Sequence, residues 1–364
     1  MSAFYLSPFT FHLIAVMSAL KDISRGMPIE IGKINKSLTQ LWEQGGDQLV
    51  KASLVNFAVY SEASDALTYN TNLMAEITRE HACRVILLAA NPLAQKRRIQ
   101  AWISAHCHVA GGGSREVCSE QIAFLLEGAG PETMRNVLFS HLDSDLPLYL
   151  WWQGPFTGSL DAQLWHWVDR FLFDSGSWRD PARQMQILRE SIATARSRIV
   201  LCDLNWRRLI YLRLAMAQMF DQPWAAEKLR NIQEVSVVFH PEYQTTAVLL
   251  VAWIARQLAW QLTQRTDSEF TFASPSASGP IRVILQAVPG EWISKVHIAF
   301  GQGTFDLNWS GKFLECGWSD YQGVKQLLPA GGTTVADLVN EELARGGEHV
   351  TYLRALELAE RLWS

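Results

Sequence analysis

Short apolar segments that alternate with helical segments of ten or more residues most constrain the fold of this chain. Between residues 54 and 206 these segments read "LVNFAVYS", "RVILLAA", "LPLYLWW", "RFLFDS" and "RIVLCDLNW". Strands without polar alternation are typical of parallel sheets, because crossover helices bury both of their faces. The pattern predicts an α/β domain with a mostly parallel sheet flanked by helices.

The helices of this part are predicted from the spacing of their apolar residues. They cover residues 64–81, 119–128, 131–142, 160–169, 182–196 and 207–220, and a further strand is predicted over 99–110. The first helix opens at Ser64 and Asp65, residue types that favour helix N-termini. Three glycines, at 111–113, are interpreted as a flexible turn after the strand.

The pattern changes after residue 232, where strand segments follow one another closely. An apolar helix over 245–260 precedes the segments "FTFAS", "IRVILQAV", "WISKVHIAF", "TFDLNWS" and "FLECGWS", and the chain ends in a helical region over 335–363. Connections this short require antiparallel strands. The sequence therefore predicts a smaller α+β domain over residues 229–364, after an N-terminal extension and helix (1–50) and the α/β domain (51–228).

Charge and cysteine usage exclude several classes of protein. The net charge is −4 and the basic runs are short, so no nucleic-acid partner is predicted. The apolar run at 245–260 contains Arg256 and is shorter than the roughly 20 residues of a membrane span, so no membrane partner is predicted. Five cysteines without a CxxC pair indicate a reducing, cytoplasmic location in which all the thiols are reduced.

Motifs of the common catalytic and cofactor sites are absent from the sequence. There is no GxGxxG after the first strand, no phosphate-binding GxxxxGK[ST], no GxSxG and no HExxH, so neither catalytic residues nor a cofactor is predicted. The nearest approach to a metal site is the set His81, Cys83, His106, Cys107, His108 and Cys118. On a strand Cys107 would point away from its two histidine neighbours, and no metal is predicted.

Polar and aromatic residues follow three of the predicted parallel strands, in "LYLWWQGP", "FLFDSGSW" and "VLCDLNW". Because the carboxyl ends of parallel strands meet at one edge, where α/β proteins bind ligands, we predict a partner- or ligand-binding site there. Its residues are Trp152, Gln153, Asp174, Ser175, Asp203, Asn205, Trp206 and Arg207. Helix capping by the acids and core packing by the tryptophans are the alternative interpretation.

The two adjacent tryptophans, Trp151 and Trp152, are predicted to have different roles. Trp151 lies within the strand and fills the core, whereas Trp152 is the first residue beyond the paired part of the strand. The acids at the other end of the stretch, Asp143 and Asp145, are expected to terminate or cap the preceding helix.

Two functions fit such a site. Tryptophan and arginine dominate protein-binding hot spots, so the site could bind a protein. The same Trp-Asp-Asn set could instead stack on and hydrogen-bond a sugar phosphate, in a binding protein or an enzyme, with Arg179, Arg207 or Arg208 as the phosphate ligand.

Several long motifs carry a resemblance to a known family. The segments "EHACRVILL", "CSEQI", "DLPLYLWWQGPF", "VDRFLFDS" and "CDLNWRRL", with "AWIARQLAW" and "YLRALELAE" further on, resemble the glucose-6-phosphate dehydrogenase assembly protein family, often called OpcA. The order and spacing match from about residue 50 to 220, and the later segments extend the match over nearly the whole chain.

The resemblance implies a non-catalytic protein that binds glucose-6-phosphate dehydrogenase. Such a protein would promote the assembly or allosteric activation of the enzyme, and so support the oxidative pentose phosphate pathway and NADPH supply. Family members in photosynthetic bacteria are described as redox-controlled, but the cysteines of this chain match no regulatory pair, and the extension before residue 27 lies outside the family pattern.

Overall fold

The computed structural model describes residues 26–45, 49–109, 116–157, 162–193, 199–276, 279–320, 325–347 and 349–364. The predicted N-terminal extension, up to residue 25, and the glycine turn at 111–113 lie outside the described residues. The chain divides into two compact units. The first ends at Gln153 and includes Trp167–Asp169, and the second comprises Gly154–His166 and Arg170–Ser364.

The first unit contains a mostly parallel sheet and its helices. Its elements are β1 (Met27–Ile29), α1 (Ile34–Gly45), β2 (Leu49–Lys51), β3 (Asn56–Ser61), α2 (Ala66–Ile77), β4 (Arg84–Asn91), β5 (Arg98–Val109), β6 (Glu116–Glu127), α3 (Pro131–Phe139) and β7 (Leu148–Gln153). The strand order is β1-β5-β6-β4-β3-β7, and β2 also pairs with β6. The pairs β6–β4, β4–β3 and β3–β7 are parallel, whereas β5 is antiparallel to both β6 and β1.

The central strands of this sheet are buried along nearly their whole length. All of β3 is buried, and so is β4 up to its last residue. Burial on both faces explains why these segments read as continuous apolar runs, and the predicted α/β class with a mostly parallel sheet is confirmed.

The prediction of a helix over 119–128 is wrong, because this segment lies in strand β6. Residues 118–124 are all buried, between β5 on one side and β4 on the other. A strand buried on both faces has no polar alternation, so its sequence pattern cannot be distinguished from that of a buried helix. The strand ends at Glu127, and the next residue, Gly128, has a φ of +58° that suits glycine.

The prediction that all thiols are reduced is also wrong, because Cys107 and Cys118 form a disulfide. The two residues face each other in the antiparallel β5–β6 pair, with their Cα atoms 4.1 Å apart. The sequence did not predict this disulfide, because the two cysteines are 11 residues apart and only the register of the hairpin brings them together. Cys83, Cys202 and Cys316 are free thiols, all buried.

The second unit contains two parallel strands, a mostly antiparallel sheet and several helices. Its elements are β8 (Val168–Phe173, of which Arg170–Phe173 belong to this unit), α4 (Pro181–Ile192), β9 (Val200–Asp203), α5 (Leu204–Arg208), α6 (Ile210–Phe220), α7 (Pro223–Lys228), β10 (Ile232–Phe239), α8 (Gln244–Gln257), β11 (Gln261–Arg265), β12 (Glu269–Ala273), β13 (Ile281–Ala287), β14 (Ile293–Phe300), β15 (Thr304–Ser310), β16 (Phe313–Trp318), β17 (Gln326–Pro329), α9 (Val335–Leu343) and α10 (Val350–Trp363). The order of the antiparallel sheet is β11-β12-β13-β10-β14-β15-β16-β17.

The later sheet confirms the predicted α+β character of this region. Its neighbouring strands are antiparallel except for β10 and β13, which are parallel and so need the crossover that α8 provides. Helix α8 is buried around most of its circumference, which explains its almost wholly apolar sequence. None of the helices in the described part of the chain is long and apolar enough to cross a lipid bilayer.

The helix predicted over 160–169 is not found in the described part of that segment. Residues Leu164–His166 form a single 3-10 turn, and strand β8 begins at Val168. The predicted domain boundary between residues 228 and 229 stays a prediction. It was placed where the pattern of strands changes, whereas the two compact units divide after Gln153.

Candidate functional site

Four of the predicted site residues meet at the carboxyl ends of two parallel strands in the second unit. Strands β8 and β9 are parallel, and Phe173 pairs with Asp203. Asp174 and Ser175 follow the first strand directly, and Asn205 comes two residues after Asp203. The same edge of the pair therefore carries all four polar side chains, as the sequence predicts.

Asp203 is the centre of this cluster. Its carboxylate accepts hydrogen bonds from the backbone N–H of Ser175 (3.0 Å) and Asn205 (2.9 Å), from the Ser175 hydroxyl (2.6 Å) and from the Tyr352 hydroxyl (3.1 Å). Burial and the charge of Asp174 raise the pKa of Asp203 to about 6, although the hydrogen bonds from Ser175 and Asn205 lower it. Asp203 thereby caps helix α5 and joins it to the turn after β8.

Asn205 and Arg208 extend the cluster outward. The side-chain amide of Asn205 donates to the Ser175 hydroxyl at 3.0 Å, and its Oδ1 accepts from the Thr246 hydroxyl at 2.6 Å. Arg208 donates to the Asp174 carboxylate at 2.7 Å and to Asn205 Oδ1 at 3.2 Å. The buried side chain of Asn205 is thus fixed by three partners, and the ion pair between Arg208 and Asp174 forms the outer layer.

Gly176 lies close to this ion pair. A Cβ atom at this position would lie 2.8 Å from a carboxylate oxygen of Asp174 and 3.0 Å from the Arg208 guanidinium. A larger residue would therefore push the Asp174 carboxylate away and crowd Arg208.

Trp206 and Arg207 point into other parts of the second unit. The ring of Trp206 lies 5.5 Å from that of Tyr352, and the Arg213 guanidinium stacks on it at 3.5 Å. Arg207, which is 1% exposed, donates to the Glu342 carboxylate from Nε at 3.0 Å. Both side chains are buried and held by partners within the second unit.

Glu342 is a second buried centre of charge. Besides Arg207 it binds His349 Nε2 at 2.6 Å and lies 3.6 Å from the Arg170 guanidinium. Burial raises the pKa of Glu342, but the contacts with His349 and Arg207 outweigh it and hold the pKa below its usual value. The Glu342 carboxylate is therefore charged and fully partnered.

Two groups of potential metal ligands occur among the described residues, and neither suits a metal ion. In the first, which contains Cys107 and Cys118, the two sulfurs are bonded to each other. In the second, Cys202, Glu342 and His349 lie close together, but arginines already occupy the carboxylate and their positive charge would repel a cation. Of the histidines considered from the sequence, His106 bonds Gln121 at 2.9 Å.

Trp152 and Gln153 belong to the first unit, and their predicted placement beyond the strand is wrong. Both lie within β7, where Trp152 pairs with Tyr60 and Gln153 pairs with Ser61. Trp152 is only 5% exposed, and its ring centroid is 4.0 Å from that of Tyr60. Gln153 is half-buried and exchanges two amide hydrogen bonds with Asn70, of 2.9 and 2.7 Å. The pairing with β3 continues two residues further than the apolar pattern indicated.

The acids before β7 lie in a turn rather than at the helix end. Helix α3 ends at Phe139 with Ser140 as its C-cap, and the Asp143 carboxylate accepts from the backbone N–H of Asp145 at 3.3 Å. The backbone of Asp143 exchanges hydrogen bonds with the Asn56 side chain. These acids shape the entry into β7.

A cavity of about 860 Å³ opens beside the Asp174–Arg208 ion pair, within the second unit. Its walls include Trp178, Arg179, Tyr243 and the start of helix α8. The ring of Tyr243 lies 5.6 Å from the Arg208 guanidinium. Sequence reasoning noted Arg179 and Arg208 but missed Tyr243, Thr246, Tyr352 and Glu342, which come from distant segments without a local signal.

Two family models match the chain in consecutive regions. Residues 74–190 match the N-terminal domain of a glucose-6-phosphate dehydrogenase subunit, and residues 199–356 match the C-terminal domain of the same kind of protein. Both models describe OpcA proteins, and together they span more than half of the chain. The chain belongs to the OpcA family.

Curated relatives of this OpcA-family chain include two OxPP cycle proteins. The OxPP cycle protein OpcA of Nostoc punctiforme is 28% identical over 191 residues, which cover 51% of this chain and 40% of the relative. That of Synechococcus elongatus is 26% identical over 188 residues, which cover 51% of this chain and 41% of the relative. The chain thus spans about two fifths of the length of these relatives.

Among solved structures, an oxidoreductase from Sinorhizobium meliloti is similar to the OpcA-family chain with a TM-score of 0.46 and 9% identity. The match covers 85% of this chain and 89% of the oxidoreductase. A similarity this distant supports no conclusion about function.

Proposed function

We propose that this chain is a non-catalytic protein that binds glucose-6-phosphate dehydrogenase and promotes its assembly or allosteric activation. The observation that carries the proposal is the ordered match to the two family models, both of which describe domains found in a subunit of glucose-6-phosphate dehydrogenase. In this role the chain acts in the cytoplasm and supports the oxidative pentose phosphate pathway and NADPH supply.

The arrangement of Ser175 and Asp203 supports a role without catalysis. A hydroxyl bonded to a carboxylate could be read as an activated nucleophile. Here, however, Ser175 is 0% and Asp203 is 2% exposed, and their remaining hydrogen bonds go to Asn205 and Tyr352. Hydrogen-bonding groups that are all engaged in this way are typical of a pair that holds secondary structure together.

The surface that meets the dehydrogenase is a separate part of the proposal. Of the eight predicted partner-binding residues, Gln153 and Asp174 are half-buried and able to contact another molecule, whereas the other six are buried. We propose that any influence of the buried six on binding passes through the elements that they hold in place.

Steady-state kinetics of the cognate dehydrogenase test the proposal. Stoichiometric addition of the chain is expected to raise the activity or the substrate affinity of the enzyme, and the two proteins are expected to co-elute on size exclusion. A tenfold shift towards an active state requires a difference in binding free energy of about 1.4 kcal/mol between the two states. Unchanged kinetics together with separate elution would refute the proposal, as would dehydrogenase turnover by the chain alone.

A further inference from the structure

The cavity beside Asp174 and Arg208 has the size and position of a small-molecule site. Its volume of about 860 Å³ falls in the range of ligand pockets, roughly 300–1,000 Å³. It also lies next to the carboxyl ends of β8 and β9, the edge at which α/β proteins commonly bind ligands. Nothing in the proposed partnership with the dehydrogenase requires such a cavity.

The charged groups of the cavity wall differ in how they are engaged. Arg208 is held by Asp174 and Asn205, and Arg265 donates to the carbonyl oxygen of Leu362 at 3.0 Å. Arg179 is exposed, and no hydrogen bond or ion pair to it occurs among the described residues. Arg179 is therefore the guanidinium that is free to bind an anionic group, and a guanidinium suits the geometry of a phosphate.

The remaining wall restricts what that anion can belong to. Asp267 and Glu242 also line the cavity. A ligand with several phosphates would be repelled by these two carboxylates and attracted by only one free arginine. Asp174, whose side chain is 28% exposed, offers acceptor positions for ligand hydroxyls, and so do the exposed carboxylates of Glu242 and Asp267. The hydroxyls of Thr245 and Thr266 are already engaged, because they donate to the backbone carbonyls of Gly176 at 3.3 Å and Glu269 at 3.2 Å. Carboxylates that accept from hydroxyls, beside one free guanidinium, suit a polyhydroxylated molecule that carries one phosphate.

Aromatic side chains complete the wall. Trp178, Tyr243 and Trp363 all contribute to it. Trp178 is only 4% exposed and stacks on Phe173 at 5.2 Å, so Tyr243 and Trp363 provide the accessible ring surface. Aromatic rings pack against the apolar C–H faces of molecules whose edges are polar, which is the surface pattern of a sugar ring. A nucleic-acid strand would also stack on aromatic rings, but its backbone charge does not suit the two acids.

We propose that this cavity binds a sugar monophosphate, with the phosphate on Arg179 and the hydroxyls on the carboxylates of Asp174, Glu242 and Asp267. The inference stands on the cavity of the second unit, and it does not depend on the proposed binding of the dehydrogenase.

Calorimetric titration of the full chain, with no enzyme present, tests the inference. The probes are glucose 6-phosphate, glucose and inorganic phosphate. We expect glucose 6-phosphate to bind with a Kd below about 1 mM, at least about tenfold more tightly than either of the other two. This order would show that the sugar and the phosphate are bound together, whereas equal binding of inorganic phosphate would reveal an anion site only and overturn the assignment of a sugar.

Arg179→Met and a matched control locate the site. Arg179→Met is expected to weaken glucose 6-phosphate at least about tenfold while leaving glucose unchanged, because the variant removes only the charge that binds phosphate. Arg183→Met alters another exposed arginine, four residues on, that does not line the cavity, and is expected to bind like the wild type. Absence of saturable heat with the wild type at about 10 mM, or equal loss in both variants, would overturn the inference.

Discussion

The pKa of Asp203 depends strongly on the groups that surround this buried carboxylate. Two backbone amides and two hydroxyls donate to its carboxylate, yet burial and the charge of Asp174 still raise its pKa to about 6 from an ordinary 3.8. The folded chain thus holds this proton more tightly than the unfolded chain. The resulting contribution to stability is fully present below about pH 4 and is lost as the pH rises through 6.

The first prediction concerns this titration. Asp203→Asn removes the ionisable group. The free energy of unfolding of the wild type, measured relative to that of the variant, should therefore decrease between pH 4 and pH 7. The full change is about 3 kcal/mol for a shift of this size. Urea denaturation of both proteins across that range measures it, and two parallel curves would contradict it.

The second prediction concerns Trp152, which the sequence placed at an exposed edge and the structure places in the core. Trp152→Ala is expected to lower the free energy of unfolding by about 3–5 kcal/mol, because it leaves a cavity beside Tyr60. Trp167→Ala is the control, since Trp167 is 61% exposed and should lose much less. If Trp152→Ala melts at the wild-type temperature, the packing described for the end of β7 is incorrect.

Between elements, buried charges join segments that the sequence separates. Arg207 on α5 and Glu342 on α9 are 135 residues apart, and both side chains are 2% exposed. No periodic pattern in either helix indicates that these two charges meet, which is why the sequence assigned Arg207 to a partner site. Apolar periodicity predicts which face of a helix is buried, but it does not predict the partners of a buried charge.

The third prediction compares this pair with an exposed one. Glu342→Gln is expected to cost about 3–5 kcal/mol of unfolding free energy, because it leaves the buried charges of Arg207 and Arg170 without a counterion. Glu357→Gln breaks an ion pair with Arg256 whose side chains are 63% and 44% exposed, and should cost at most about 1 kcal/mol. Chemical denaturation of both variants checks the comparison, and similar losses would argue against it.

The fourth prediction belongs to the β5–β6 hairpin. Alkylation of the denatured chain without a reductant should modify Cys83, Cys202 and Cys316 only, and prior treatment with dithiothreitol should add Cys107 and Cys118. Mass spectrometry counts the modified thiols. Five modified cysteines without a reductant, in protein kept from reducing agents throughout, would show that the hairpin pair is not oxidised.

At the scale of the whole molecule, the sequence predicted the fold class better than the site. Apolar strands such as β4 and the closely spaced strands after β10 identified a parallel and an antiparallel sheet, because burial on one or two faces leaves a readable pattern. Strand β6 was missed because it is 12 residues long, and a buried apolar run of that length also suits a helix. The meeting of Asp174, Ser175, Asp203 and Asn205 was predictable from strand direction, whereas Tyr352 and Thr246 reach them only through tertiary folding.

Strand β10 has a consequence for synthesis of the chain. Both of its partners, β13 and β14, lie later in the sequence, and the first of them begins only at Ile281. At about 5–20 residues per second, a ribosome needs several seconds to reach that residue after Phe239, and longer to release it. During this interval an apolar strand has two open edges and no native strand partner. Nascent chains stalled between these positions should therefore be those most in need of a chaperone.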